Sequence, residues 1–130
     1  MLKERTLHYY LDLKKCCAES VLRAANEEYC LGIAEDDLVL YTGFCGGMAC
    51  GSVCGCLAGA IGVLSKKYVG REDFRELCKN FVAVFREKLA CDSIDCAVLE
   101  PKYKTPESRC SAAVILAADA LEDYIRQLEN

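Results

Sequence analysis

The sequence predicts an all-α, single-domain bundle of about five helices around a central Gly/Cys-rich helix. Three observations carry this expectation. Apolar residues recur at intervals of three and four rather than two. Only two prolines interrupt the chain. Most of the glycines fall in one uncharged stretch that reads as a helix the others must cover. A chain of 130 residues buries about two thirds of its unfolded surface, enough for one self-sufficient core. Residues 1–130 are therefore read as one domain.

The elements follow in order. From Thr6 to Leu31, residues including Leu7, Leu11, Cys17, Val21, Ala25 and Tyr29 share one helical face. Gly32 suits the left-handed position after the helix. The acidic run Glu35-Asp36-Asp37 marks the start of a short second helix through Tyr41, because anions favour a helix N-terminus. The Gly46-Gly47 pair breaks the chain ahead of a third helix, from about Ala49 to Tyr68. Phe74, Leu77, Phe81, Phe85 and Leu89 mark a fourth, ending near Ala90. Cys91 to Lys104 reads as a loop with one turn near Asp95–Leu99, kept irregular by Pro101. Thr105-Pro106-Glu107 places an N-cap, a first-turn proline and a first-turn acid ahead of a fifth helix.

No charged residue lies between Leu38 and Ser65. The stretch is long enough to span a bilayer. It is rich in Gly and Cys rather than Leu, Ile and Phe, and no aromatic belt flanks it. A buried central helix is the preferred reading, and a membrane is not expected as partner. Gly43, Gly47, Gly51, Gly55 and Gly59 are each four apart. Each glycine inside a helix costs about 1 kcal/mol relative to Ala. Such a stripe needs the close approach of another helix or a ligand.

Composition narrows the function. Eleven cysteines accompany a single histidine. The count is odd, and the opening MLKERTLHYY has neither an apolar run nor a small-residue cleavage site. A cytoplasmic chain with thiols kept for chemistry or metal binding is expected, not a secreted disulfide scaffold. The net charge of -4 argues against a nucleic acid as partner. One histidine rules out a His-based metal cage. His8 reads as solvent-facing, and Glu19 as part of an exposed helix face. No phosphate-binding or dinucleotide-binding glycine motif is present.

The cysteines fall on separate elements. Cys17 is read at the middle of helix one and Cys110 in the second turn of helix five. Cys50 and Cys54 are read on one face of helix three, near its N-terminus. Cys56 lies about 200° around an ideal helix from Cys54 and is not expected to share its ligand. Cys91 and Cys96 bracket a loop. Cys16, Cys30 and Cys78 are read as packing residues.

At this point the residues resemble a known family. The run Cys17-Ala18-Glu19-Ser20-Val21, then Gly46-Gly47-Met48, then Cys54-Gly55-Cys56-Leu57-Ala58-Gly59, then Ile94-Asp95-Cys96, then Cys110 before an Ala-rich helix look like the C_GCAxxG_C_C family of small redox-active proteins. The pattern is also similar to a domain of split-Soret cytochromes that carries non-haem iron. The resemblance implies Cys17, Cys54, Cys96 and Cys110 as the characteristic cysteines, with Gly55 and Gly59 as motif glycines. Gly47 belongs to the glycine turn before them. Two departures stand out: Cys56 replaces the motif's Ala, and Cys45 enters the glycine turn. Cys45, Cys50, Cys56 and Cys91 are therefore possible additional ligands.

Four thiolates from four elements match an iron–sulfur cluster or a tetrahedral zinc site. Thiols that cycle to disulfides, with no metal, are the other option. Gly47, Gly55 and Gly59 would supply room and backbone N–H groups beside the sulfurs. A redox partner protein is expected, and the glycine face permits a homo-oligomer.

Overall fold

The computed structural model describes residues 1–130 as seven α-helices with no β-strand. They are α1 (Leu2–Leu7), α2 (Cys17–Glu28), α3 (Glu35–Leu38), α4 (Gly55–Tyr68), α5 (Phe74–Lys88), α6 (Cys96–Tyr103) and α7 (Ser111–Leu128). The all-α expectation holds, and the count rises from about five to seven for two local reasons.

The first reason is that the expected helix one is two helices. A wide π-helical turn (His8–Asp12) extends α1. Lys14 then takes a left-handed φ of 55°, a conformation that ends a right-handed helix. Cys16 is extended, and α2 begins at Cys17. The second is that the Cys91–Lys104 loop contains α6. Pro101 lies inside it as its sixth residue. It ends the helix within one turn instead of preventing it.

Other boundaries shift too. α2 ends at Glu28, and Cys30 rather than Gly32 is the first left-handed residue after it, with φ 52°. Cys30 is exposed, so it is not a packing residue. The expected helix three starts at Gly55, not Ala49, because Met48 and Ala49 have φ of 59° and 60°. Helix five starts at Ser111. Thr105 and Arg109 instead exchange backbone hydrogen bonds at 2.8 and 2.9 Å, closing a tight turn before it.

The core lies between α2, α4, α5 and α7. Val21, Leu57, Val63, Leu64, Phe81, Phe85, Val114, Leu121 and Ile125 are buried in it. Each such side chain contributes about 1.5–3 kcal/mol by leaving water. α4 is central, with Gly55, Gly59 and Gly62 all buried. A Cβ on Gly59 would sit 2.5 Å from the Ala18 carbonyl oxygen, and one on Gly62 2.6 Å from the Tyr41 ring. Gly59 is thus where α2 approaches α4, and Gly62, outside the predicted four-residue series, is where the segment after α3 does; Gly43, Gly47 and Gly51 of that series precede α4, so no continuous glycine stripe forms. Glu19, expected on an exposed face, is buried and paired with Arg23 at 2.6 Å. Arg23 also reaches Glu35 at the start of α3, which ties α3 to α2. No helix is long and apolar enough to cross a membrane.

Candidate redox centre

Cys17 is the first residue of α2. Cys54 is the N-cap of α4. Cys96 is the first residue of α6. Cys110 is the N-cap of α7. These placements correct the readings that put Cys17 mid-helix, Cys54 inside a helix and Cys110 in a second turn. The common position has a physical meaning. A helix N-terminus presents unpaired N–H groups and the positive end of the helix dipole. That end favours a thiolate, and burial outweighs it at Cys96 and Cys110.

Two backbone contacts set Cys54 and Cys96 side by side. Val53 and Asp95, the residues preceding them, form an isolated antiparallel bridge. The Cys54 N–H donates to the Ile94 carbonyl at 2.7 Å, and the Cys96 N–H to the Ser52 carbonyl at 2.6 Å. Cys110 is fixed from a third side. Its N–H donates to the Tyr10 hydroxyl at 3.0 Å. Tyr10 lies under the Arg109 guanidinium, 3.9 Å from its ring centre.

The four cysteines line one cavity of about 220 Å³. Cys56, Cys16 and Cys45 line it as well, with Gly46, Gly55, Leu99 and Ala113 among the other walls. Glu100, Lys104 and Arg109 complete it with charged groups. Cys56 overturns the helix-geometry argument against it. Cys54 is not helical: its ψ is 131°, so the 100° step per residue does not relate the two sulfurs. Cys16 is not a packing residue either; it forms a disulfide with Cys45. Cys50 and Cys91 lie outside the cavity lining. Cys50 is exposed on the turn before α4, its sulfur 3.4 Å from the Gly47 carbonyl.

Of the three glycines, only Gly55 borders the cavity. A Cβ there would collide with the Cys17 sulfur, so the glycine makes the room this sulfur occupies. Gly59 makes room for Ala18 instead. Gly47 is left-handed, φ 63°, and a Cβ would strike the Ser52 backbone. It shapes the turn that leads to the Cys54–Cys96 brace.

The sulfurs differ electrostatically. The Cys56 thiol, directed at Cys17, holds the Cys17 thiol down to about 6 against its burial, helped by the N–H groups of Gly46 and Ala18. Cys54 is lowered by the same Cys56 thiol, with the N–H groups of Cys56 and Leu57 adding to it. Cys56 itself is pushed well up by serving both neighbours. Burial pushes Cys96 up to about 11, with Cys54 and Glu100 adding to it. Burial also raises Cys110. The cavity thus has a thiolate-prone side at Cys17 and Cys54 and a thiol side at Cys96 and Cys110.

No three His, Cys, Asp or Glu side chains stand grouped as a ready-made site for one metal ion. The cavity walls offer thiols from four helix N-termini, N–H groups of Gly46 and Ala18 beside Cys17, and the apolar side chains of Leu99 and Ala113.

Residues 15–124 match the family described as "Putative redox-active protein (C_GCAxxG_C_C)". No curated protein and no solved structure matches the chain. The family match runs from the residue before Cys16 to the last turns of α7 and takes in every cysteine that lines the cavity. The chain therefore belongs to the C_GCAxxG_C_C family.

Proposed function

We propose that the chain is an electron-transfer protein whose Cys17, Cys54, Cys96 and Cys110 hold an iron–sulfur cluster. One observation carries this reading: four cysteines, each at the N-terminus of a different helix, line a single cavity. When bound, such a cluster supplies one-electron transfer. The chain's own residues do the rest. Gly46 and Ala18 direct N–H groups at Cys17, and Cys56 and Leu57 direct theirs at Cys54. N–H groups beside cluster sulfurs tune the reduction potential. Cys96 and Cys110 must lose protons to become ligands, so loading releases protons and is favoured as pH rises. Lys104 and Arg109 put cationic groups at the cavity for an electron partner to meet.

A second reading has its own support. Cys17 is held near the thiolate state inside a sulfur-lined cavity, which suits thiol/disulfide chemistry by the same residues.

Metal and acid-labile sulfide analysis, with a visible spectrum of protein made and kept without oxygen, decides between them. Iron, sulfide and visible absorption are expected, and are lost in Cys17→Ser, Cys54→Ser, Cys96→Ser and Cys110→Ser but kept in Cys91→Ser. Stoichiometric zinc without visible absorption would overturn the proposal in favour of a structural metal. Metal-free protein whose free thiols change with mild oxidant would support the second reading.

A further inference from the structure

We infer that Cys16–Cys45 is a second redox couple in the same cavity, a two-electron dithiol/disulfide pair that exchanges with a dithiol or disulfide substrate. The four-cysteine reading does not use these residues.

Three observations lead to it. The disulfide joins the residue before α2 to the residue after the 3-10 turn Val39–Phe44. Both of its cysteines line the sulfur-rich cavity. Neither is packed against the hydrophobic core, whereas Cys17, Cys78, Cys91 and Cys110 are. A staple acts by constraining the unfolded chain and needs no cavity beside it. This one lies on the wall of a pocket, where a substrate sulfur can reach it.

Its neighbours connect it to the main centre. Cys16 is joined through one peptide bond to Cys17. Cys45 is joined in the same way to Gly46, whose N–H faces the Cys17 sulfur. Opening or closing the pair acts directly on both groups that flank that sulfur. Lys104 is paired with Glu100 at 3.6 Å, which leaves Arg109 as the net positive charge of the cavity wall, and this favours a substrate that arrives as a thiolate or carries a carboxylate.

The exchange balances without another reactant. A substrate thiolate attacks one sulfur of the pair; the S–S bond breaks, and the other cysteine leaves as a thiolate and takes up a proton. The substrate's second thiol loses its proton and displaces the protein from the mixed disulfide. The substrate dithiol has then lost two electrons and two protons, and Cys16 and Cys45 have gained them. The reverse sequence reduces a substrate disulfide.

The test uses the full chain, both as purified without oxygen and after removal of metal with a chelator. Each form is equilibrated in reduced/oxidised dithiothreitol and glutathione mixtures, trapped with a maleimide and mapped by mass spectrometry. The expected result is a reversible gain of two labels, on Cys16 and Cys45 together, as the buffer becomes more reducing. The circular dichroism spectrum should stay unchanged. Labels appearing only after denaturant would overturn the inference and make the bridge a staple. So would labels present at every buffer ratio. Protein that proves to hold no iron overturns the cluster reading but leaves this titration readable. Cys16→Ser supplies a further check: Cys45 should then be trapped as a glutathione mixed disulfide, and failure of that trapping counts against the exchange.

Discussion

Cys54 and Cys96 are held side by side by their own backbones, through N–H donations of 2.7 and 2.6 Å that cross the Val53–Asp95 bridge. Side-chain substitution does not remove these bonds. The pair is therefore sensitive to the path of the chain, and above all to Gly51. Gly51 has a φ of 76°, and a Cβ there would lie 2.9 Å from the Ala97 Cβ at the start of α6. Gly51→Ala should cost about 1–2 kcal/mol from its left-handed backbone alone. The melting midpoint should fall by about 4 °C per kcal/mol, with Cys96 more readily alkylated. An unchanged melting curve together with unchanged Cys96 labelling would mean that the brace does not depend on this glycine.

Gly55→Ala tests the room made for Cys17. The new methyl would overlap the Cys17 sulfur and lie 3.2 Å from the Phe44 carbonyl oxygen and 3.3 Å from the Ala18 nitrogen. Overpacking of this kind costs about 1–3 kcal/mol. Gly70→Ala is the control, since nothing lies within 4 Å of its added Cβ, and it should stay within about 0.5 kcal/mol of the parent. Urea denaturation measures both. Equal stabilities for the two variants would contradict the close approach of Gly55 to Cys17.

Cys56→Ala removes the thiol that serves Cys17 and Cys54, and restores the alanine of the family motif. In metal-free protein the Cys17 alkylation rate should turn on near pH 6 in the parent and at clearly higher pH in the variant. The sign for stability follows. Cys17 titrates lower folded than unfolded, so its contribution is fully present above its ordinary value near 9 and is lost as pH falls through about 6. Cys56 titrates higher when folded, so its contribution is lost as pH rises past the ordinary thiol range. Metal-free parent protein should be most stable at mildly alkaline pH, and the variant should show a flatter profile. Identical Cys17 profiles in the two proteins would show that Cys56 does not set this thiol.

Tyr10→Phe removes the hydroxyl that accepts the Cys110 N–H and leaves that backbone donor without its partner. The expected cost is about 1–2 kcal/mol, and the damage should centre on Cys110, with weaker retention of any bound metal. Calorimetry and metal content after dialysis read the two effects. A variant with parental stability and parental metal retention would assign Tyr10 to packing alone.

Much of the scaffold was legible in the residues. The apolar spacing of α2, α5 and α7 is that of helices with one buried face, and the uncharged, glycine-rich stretch marks α4 as the helix the others cover. Close approach was readable at Gly55 and Gly59 of the glycine series, which receive the Cys17 sulfur and the α2 backbone, whereas Gly43 of the same series meets nothing within 4 Å. What was not legible depended on single backbone conformations. Lys14 splits the first helix, and Met48 and Ala49 delay α4, because non-glycine residues there adopt positive φ that periodicity does not register. That delay moves Cys54 from a helix face to a cap, which brings Cys56 to it. The Cys16–Cys45 bridge was hidden for another reason. It joins residues from separate elements, and neither cysteine has a thiol partner one helical turn away.

Placing each sulfur at the start of a helix has a consequence for how the protein matures. Cys17 and Cys110 stand near opposite ends of the family match, and Cys54 and Cys96 meet only when the Val53–Asp95 bridge closes. The sulfur-lined cavity is therefore built from long-range contacts, the kind that form late because loop closure must come first. A nascent or partly folded chain exposes its thiols separately. Only a chain that has finished folding presents them as a set.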